Sequence, residues 1–323
     1  MRIAFAGAGA FAIEPFRMLH ALGSRLVMVV TRPDRPKGRG RRVAATPIAE
    51  EAQRVGFPVA KVARIAALAD TLVYLQIDLL LVADFGELIP EAVLAIPRIG
   101  PFNLHASLLP RWRGAAPCPR TILAGDAASG VTFFRMTKEM DAGPILAQRE
   151  APVLADDTSA TLEARLSAHA AALLAEALPR LEAGDFTLRG QDTTGITFAP
   201  KLTKLDGAVP WHLEAAAVLR HVRAMQPWPR AYAFLQSPGR PPLRVNLIEA
   251  RAVDAPAAPP GVIVAVGEDC FDVACAAGAV RVLRLQAAGK RVMTCGEFLR
   301  GNRLTPGDRL APEAGDASPP LEA

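Results

Sequence analysis

Residues 101–105 read Pro-Phe-Asn-Leu-His, and the chain continues Ala-Ser-Leu-Leu-Pro-Arg-Trp-Arg-Gly. Apolar runs flank this stretch, so it reads as a strand that ends in a loop. Side chains alternate along a strand, which puts Asn103 and His105 on one face and Phe102 and Leu104 on the other. An amide able to donate to a developing oxyanion, beside an imidazole able to move a proton, suits acyl transfer. The ring needs a third polar group to orient it, and Asp141 in Lys-Glu-Met-Asp-Ala-Gly-Pro-Ile-Leu (138–146) is the candidate. It follows the apolar run 131–136, so it too falls in a loop over a strand end. Each residue also has an ordinary reading. A lone histidine at a strand end is more often structural, and an Asp before Ala-Gly is usually a turn residue. Ser107 and Cys118 are conceivable covalent nucleophiles, but Ser107 is followed by Leu-Leu-Pro, not by a nucleophile elbow. Direct attack by an amine on an activated acyl donor is the simplest chemistry. Arg111 and Arg113 either hold anionic groups nearby or pack and pair structurally.

The elements that must position these groups alternate in type. Residues 2–6 are apolar and β-prone, and 13–22 are helical. A strand over 25–31, a helix over 47–55, a short strand over 58–62 and a helix around 65–75 follow. The run Asp-Leu-Leu-Leu-Val-Ala (78–83) is continuously apolar, as for a strand buried on both faces of a parallel sheet. Alternation to about residue 150 predicts a Rossmann-like, doubly wound α/β domain, in which ligands bind at the carboxyl ends of strands. After a strand over 143–153 comes one long Ala/Leu-rich helix, about 159–182, and then a polar linker over 184–207. A helix near 213–225 precedes short strands over 231–236, 243–250, 261–266, 271–276 and 280–285, which predict a smaller β-barrel. The expected division is a catalytic domain over 1–183, the linker, a barrel over 208–311 and a disordered tail over 312–323.

At 323 residues, 51% hydrophobic and 21% charged, the chain has the balance of a folded soluble protein with two cores. Its four cysteines, Cys118, Cys270, Cys275 and Cys295, form no CxxC pair and no zinc-type cluster. The expectation is a reduced, cytoplasmic protein without a metal. No apolar run approaches the roughly 20 residues that span a bilayer. The start, Met-Arg-Ile-Ala-Phe-Ala-Gly-Ala-Gly, is read against a signal peptide because Gly-Ala-Gly breaks its apolar centre and Glu14 follows.

The formal charge is +5, and residues 32–42, with six basic groups and one acid, carry the same excess. Prolines and glycines forbid a helix there, so an exposed, mobile loop is expected. It is either a solvated charge run or a footprint for a phosphate backbone. Gly7-Ala8-Gly9-Ala10-Phe11-Ala12 matches the dinucleotide fingerprint G-x-G-x-x-A. The acid that should grip the ribose is missing, since Thr31-Arg32 stands at that place. The alternative is a tight turn where strand and helix must approach closely.

Taken together, the motifs FAG (5–7), TRPDRPKGRG (31–40), FNLHASLLPRWRGAAP (102–117), ILAGDAASGVT (122–132), MDAG (140–143), APKLTK (199–204), PWPRAY (227–232) and EFLRGNRLTPGDRL (297–310) resemble the methionyl-tRNA formyltransferase family, collinearly over nearly the whole chain. The resemblance implies formyl transfer from 10-formyltetrahydrofolate to the α-amine of methionine on initiator tRNA. It also implies a Rossmann-like domain followed by an OB-like, tRNA-binding barrel. It assigns Asn103, His105 and Asp141 as the catalytic trio. Ser107, Leu108, Leu109 and Pro110 match its folate-contacting loop, with Phe85, Gly86, Glu87, Leu88 and Ile89 beside the pterin. Arg35, Lys37, Arg39, Arg41 and Arg42 fall on a basic loop directed at the tRNA, and a monomer without a stable protein partner is expected. The chain departs from the family where Ala8-Gly9-Ala10 replace Thr-Pro and an acid, where Asp84-Phe85-Gly86 replace Ala-Tyr-Gly, and where Ala142-Gly143-Pro144 replace Thr-Gly-Asp. These changes leave the chemistry intact and bear on the acceptor pocket. Rival readings are an amino-sugar N-formyltransferase with the same trio, a hydrolase releasing formate from the same folate, and a tRNA-binding protein without catalysis.

Overall fold

The computed structural model describes residues 1–37 and 42–313. The first strands and helices alternate as expected: β1 (Ile3–Gly7), α1 (Ile13–Ala21), β2 (Leu26–Thr31), β3 (Arg35–Lys37), β4 (Arg42–Ala44), α2 (Pro47–Arg54), β5 (Val59–Lys61), α3 (Ala69–Tyr74), β6 (Leu79–Ala83), α4 (Glu91–Leu94) and β7 (Gly100–His105). After α5 (Pro117–Ala124) come β8 (Ala128–Arg135), β9 (Ile145–Pro152) and the long helix α6 (Ser159–Ala183). The chain separates into two compact units. The first comprises residues Met1–Cys118, Ala127–Leu154 and Thr161–Lys201. The second takes Pro119–Asp126, Ala155–Ala160 and everything from Leu202 onward.

In the first unit one sheet runs in the order β5-β2-β1-β6-β7-β8-β9. The pairs from β5 to β7 are parallel, so the carboxyl ends of β1, β6 and β7 lie side by side. Every residue of β1 and β6 is buried, the continuous apolar pattern of strands covered on both faces. On one face Ala4, Ala6, Val30, Leu80 and Val82 pack with Ile65, Leu72 and Val93. On the other, Phe5 stacks on Phe16 of α1 with ring centroids 6.2 Å apart. The last two strands are antiparallel, a departure from the expected parallel sheet. The short connection over residues 136–144 joins β8 to β9 as a hairpin, which needs no crossover helix.

The basic stretch also departs from a simple loop. Its flanks pair as the antiparallel ribbon β3–β4, with Arg35 opposite Ala44 and Lys37 opposite Arg42. Arg39 and Arg41 lie outside the described residues, as do the side chains of Lys37 and Arg42 and the expected disordered tail from residue 314.

The second unit contains α7 (Ala215–Ala224), β10 (Tyr232–Gln236), β11 (Leu243–Val253), β12 (Ile263–Val266), β13 (Phe271–Ala274), β14 (Ala279–Ala287), β15 (Met293–Thr294), α8 (Cys295–Gly301) and β16 (Arg309–Ala311). Its antiparallel sheet follows the order β12-β13-β14-β11-β10-β16, with β15 on β14. Hydrogen bonds from Ile263 N to Asp308 O (2.8 Å) and from Leu310 N to Gly261 O (2.7 Å) bring its two ends together. The sheet therefore curls into the expected barrel, filled by Val245, Leu247, Phe271, Val282, Leu285 and Phe298.

Thr46 caps α2 through its hydroxyl, which accepts from Ala49 N, and Pro47 occupies the first turn. On that helix the Glu51 carboxylate accepts four guanidinium bonds: from Arg54 at 2.6 and 3.1 Å and from Arg17 at 2.6 and 3.1 Å. Bonding to Arg54, then to Arg17, pulls its pKa down to about 2 despite burial. A carboxyl depressed on folding stabilises above its unfolded pKa and loses that contribution as pH falls through the folded one. Replacing Glu51 with Gln should therefore cost about 1–2 kcal/mol near neutrality. In urea melts, the gap from wild type should close as the pH approaches 2.

Candidate active site

β6 and β7 run in register, Val82 beside Asn103 and Ala83 beside Leu104, so His105 ends β7 at the carboxyl edge of the sheet. The ring is buried, and its Nε2 lies 2.8 Å from the carbonyl oxygen of Trp112. A carbonyl only accepts, so Nε2 carries the proton and Nδ1 is the basic nitrogen of the neutral ring. Nδ1 faces Asp141 Oδ2 at 3.7 Å. That separation is too long for a hydrogen bond but short enough for the carboxylate to stabilise a proton taken up at Nδ1.

The carboxylate is itself held, since Asp141 Oδ2 accepts from Gly114 N at 2.8 Å. Gln191 donates from Nε2 to the carbonyls of Asp141 (2.9 Å) and Gly143 (2.8 Å). Arg113 in turn donates to Gln191 Oε1 at 2.6 and 3.1 Å, a pairing that ties it to the group holding Asp141. Trp112 and Asp141 both have positive φ, 60° and 52°. Such a backbone is rare outside glycine and is held by its surroundings. For Trp112 the hold is Thr197, whose hydroxyl accepts from Trp112 N at 2.8 Å. Asn103 completes the group: its Oδ1 is buried and has no hydrogen-bond partner among the described residues. A buried amide end without a partner is costly unless a ligand satisfies it.

The loop after His105 is rigidly organised. Ser107 donates to Arg111 O at 2.6 Å. Thr132 donates to Ser107 O at 2.7 Å and accepts from Leu109 N at 2.9 Å. Ser107 is fully buried and bonded to backbone, which does not suit a nucleophile. Leu109 and Pro110 also line a cavity of about 410 Å³ with Ile145, Arg189 and Gln191. In the preceding loop Phe85 and Ile89 are buried, Leu88 is 65% exposed and Gly86 takes a positive φ of 73°. Glu87 pairs with Arg32 at 2.6 Å, fixing the entry to that loop. Arg35 is exposed on its ribbon.

The glycine fingerprint is closed to phosphate. Ala8 N and Gly9 N both donate to Asp84 O, at 3.1 and 3.2 Å, and Phe11 N donates to the Glu163 carboxylate. A Cβ on Gly7 would sit 2.8 Å from Ala12 Cβ, so this glycine serves close packing of strand and helix. A Cβ on Gly9 would lie 1.5 Å from Asp84 Oδ2. The loop thus offers carboxylates where a pyrophosphate would need N–H groups.

Asp84 is the residue immediately after β6, in the left-handed region with φ 43°. The residue is exposed, and its carboxyl lies against Gly9. Desolvation, and secondarily the charge of Glu163, raise its pKa to about 7. Desolvation also raises that of Glu163, against the bond from Phe11 N.

The formyl transferase family model matches residues 1–178, and that of the formyl transferase C-terminal domain matches 201–303. The methionyl-tRNA formyltransferase of Methylococcus capsulatus is 42% identical, covering 96% of this chain and 99% of its own length. That of Stenotrophomonas maltophilia is 41% identical over 94% of this chain and 98% of its own. The chain belongs to the methionyl-tRNA formyltransferase family. Its fold extends further. The sugar 3-N-formyltransferase WlaRD, solved with dTDP and 5-N-formyl-THF, superposes with a TM-score of 0.63 at 16% identity, covering 90% of this chain and 99% of that one. HypX from Aquifex aeolicus, solved with tetrahydrofolic acid, gives 0.61 at 20% identity, covering 93% of this chain and 47% of that one.

The chain is a formyl-transferring enzyme, and the basic nitrogen of His105, the Asp141 carboxylate and the buried Asn103 amide oxygen are the candidate groups for that chemistry. Sequence reasoning found those three residues but missed what holds them: the Trp112 carbonyl, Gly114 N, Gln191 and Thr197. Nothing in the polar stretch around Gln191 signalled the contact. Asp84 stood out only as a departure from the family. A carboxyl whose pKa rises on folding destabilises above its unfolded value near 3.8, because ionisation is harder in the folded protein. Replacing Asp84 with Asn should therefore raise the melting temperature at pH 8, with the gain shrinking as the pH falls from 7 toward 4.

Proposed function

We propose that this enzyme transfers the formyl group of 10-formyltetrahydrofolate to the methionine α-amine of initiator Met-tRNA, with Asn103, His105 and Asp141 as its catalytic residues. The observation carrying the reading is the tautomer of His105, whose basic Nδ1 faces Asp141 at 3.7 Å on the strand face that also carries Asn103. The folate supplies an activated acyl group. Asn103 donates to the carbonyl oxygen as it gains charge, and Nδ1 of His105 removes the proton of the attacking amine. Asp141 stabilises the imidazolium so formed, and Gly114 N and Gln191 keep that carboxylate and its loop in place. Catalysis is then mainly positioning and oxyanion stabilisation.

The folate-binding residues in this reading are Ser107, Leu108, Leu109 and Pro110, with Phe85, Gly86, Glu87, Leu88 and Ile89 beside the pterin. The tRNA is met by Arg35, Lys37, Arg39, Arg41 and Arg42 and by the barrel region over 208–311. The charge excess over residues 32–42 supports the first contact. The translation role of the relatives supports a cytoplasmic location. Their identity near 40% over almost the full length favours Met-tRNA over an amino sugar, since the sugar enzymes share the fold alone.

Charged initiator Met-tRNA should be formylated with 10-formyltetrahydrofolate far faster than elongator Met-tRNA or a 4-amino-sugar nucleotide. Activity confined to the sugar would refute the acceptor and leave the chemistry standing. Replacing His105 with Ala should lower turnover by about 10²–10⁴-fold, and near-normal turnover in the folded variant would remove His105 from the mechanism. Replacing Arg39 and Arg41 with Ala should flatten the salt dependence of tRNA binding by about 0.7–0.9 log units of slope per lost phosphate contact. An unchanged slope would make the basic stretch a solvated charge run.

A further inference from the structure

The Asp84 and Glu163 carboxyls are titratable groups at the active-site edge that the mechanism above does not use. Asp84 follows β6 directly, and β6 lies between β1 and β7. Ala83, which pairs with Leu104, is the last residue of β6, so Asp84 stands at the same carboxyl edge of the sheet as His105. The Asp84 carboxylate lies over Gly9, whose missing Cβ leaves room for it. Glu163, on α6, is tied to the same loop through Phe11 N. Neither carboxylate makes an ion pair among the described residues. The loop over residues 7–12 carries no charged side chain. Arg32, in the loop after β2, is committed to Glu87 and to Ala63 O. On the β7 side the titratable group is His105, with Asp141 beyond it. Two unpaired carboxyls at the edge of a reaction site repel each other and attract a cation.

We propose that Asp84, assisted by Glu163, receives the α-ammonium of the acceptor methionine and takes its first proton before attack on the formyl carbon. This rests on the formyl-transfer reading above. The methionine α-amine enters as R–NH₃⁺, with a pKa of about 7.7–8.0 for a model α-amine. One N–H bond breaks, and the proton passes to the Asp84 carboxylate, giving R–NH₂ and the neutral acid. The lone pair then forms the C–N bond to the formyl carbon, and the bond from that carbon to N10 of the folate breaks. The second amine proton travels by way of His105 to N10, leaving the formamide and tetrahydrofolate. Asp84 returns its proton to solvent. A carboxyl with a pKa near 7 is matched to an ammonium within about one unit, so the transfer is nearly balanced. The same negative pair disfavours tRNA phosphate at this edge, so the acceptor presents its amine there and its backbone elsewhere.

The test compares wild type with Asp84→Asn and Glu163→Gln in formylation of initiator Met-tRNA between pH 6.5 and 8.5. In wild type, the reactive state is an ionised Asp84 with a protonated amine, so kcat/KM for Met-tRNA should peak near pH 7.4, roughly midway between the two pKa values, and fall about two- to threefold toward either end of that range. Asp84→Asn must wait for the free amine, so its kcat/KM should climb with pH by about tenfold or more. Its KM for Met-tRNA should rise at pH 6.5 while its KM for the folate is unchanged. Glu163→Gln should keep most activity and lower the acid limb of the profile, because a negative neighbour is gone. A constant ratio of Asp84→Asn to wild type at every pH would overturn the proposal. So would a rise confined to the folate KM, which would place Asp84 at the donor. The melting temperature at pH 8 reports that the variant is folded. If wild type formylates no Met-tRNA at any pH, the function proposed above fails, and the profile on whichever acceptor is active then tests Asp84.

Discussion

The bond from His105 Nε2 to the Trp112 carbonyl is the constraint on which the arrangement at the end of β7 depends. It decides which nitrogen is protonated, and therefore that the basic one faces Asp141. The carbonyl can point that way only because Trp112 holds a positive φ, and that geometry is secured from a distant segment through Thr197. The same segment supplies Ala199, whose carbonyl accepts from Ala116 N at 3.1 Å and whose N donates to Arg113 O at 2.7 Å. A Cβ on Gly114 would lie 2.6 Å from the Ala199 oxygen, so the glycine that orients Asp141 also permits this close strand-like contact.

A second constraint is electrostatic. The fold shares its first strand, turn and helix with dinucleotide-binding sheets, where such a turn collects N–H groups around an anion. Here those groups are spent on the protein's own Asp84 carbonyl and Glu163 carboxylate. The glycines remain for packing, and the edge acquires negative charge. One architecture thus serves an opposite electrostatic purpose without any change in strand order.

Much of this was legible in the sequence because it is local. Continuous burial of β1 and β6 follows from their apolar runs, and the alternation of β7 places Asn103 with His105. The short Gly/Pro-bounded strands beyond residue 230 gave the barrel. What escaped depends on contacts between distant segments through backbone atoms, which no residue type advertises. Trp112 meets Thr197 across 85 positions, and Arg113 meets Gln191 across 78. The antiparallel turn of β8 and β9 is likewise invisible to periodicity, since parallel and antiparallel strands share a period of two. The ribbon β3–β4 escaped because prolines and arginines argue against a strand, while an isolated two-stranded pair tolerates both.

The close approach at Gly9 has an evolutionary corollary. Gly9 itself has an ordinary backbone, with φ −87°, so alanine would fit there without strain in the chain. What it would displace is the end of the Asp84 side chain, which can rotate away. A silent-looking methyl, two positions beyond the end of β1 and chemically inert, would thus re-aim an acid in the loop after β6. The two positions are therefore coupled in mutational order: alanine becomes neutral at 9 only in a background whose residue 84 is already short.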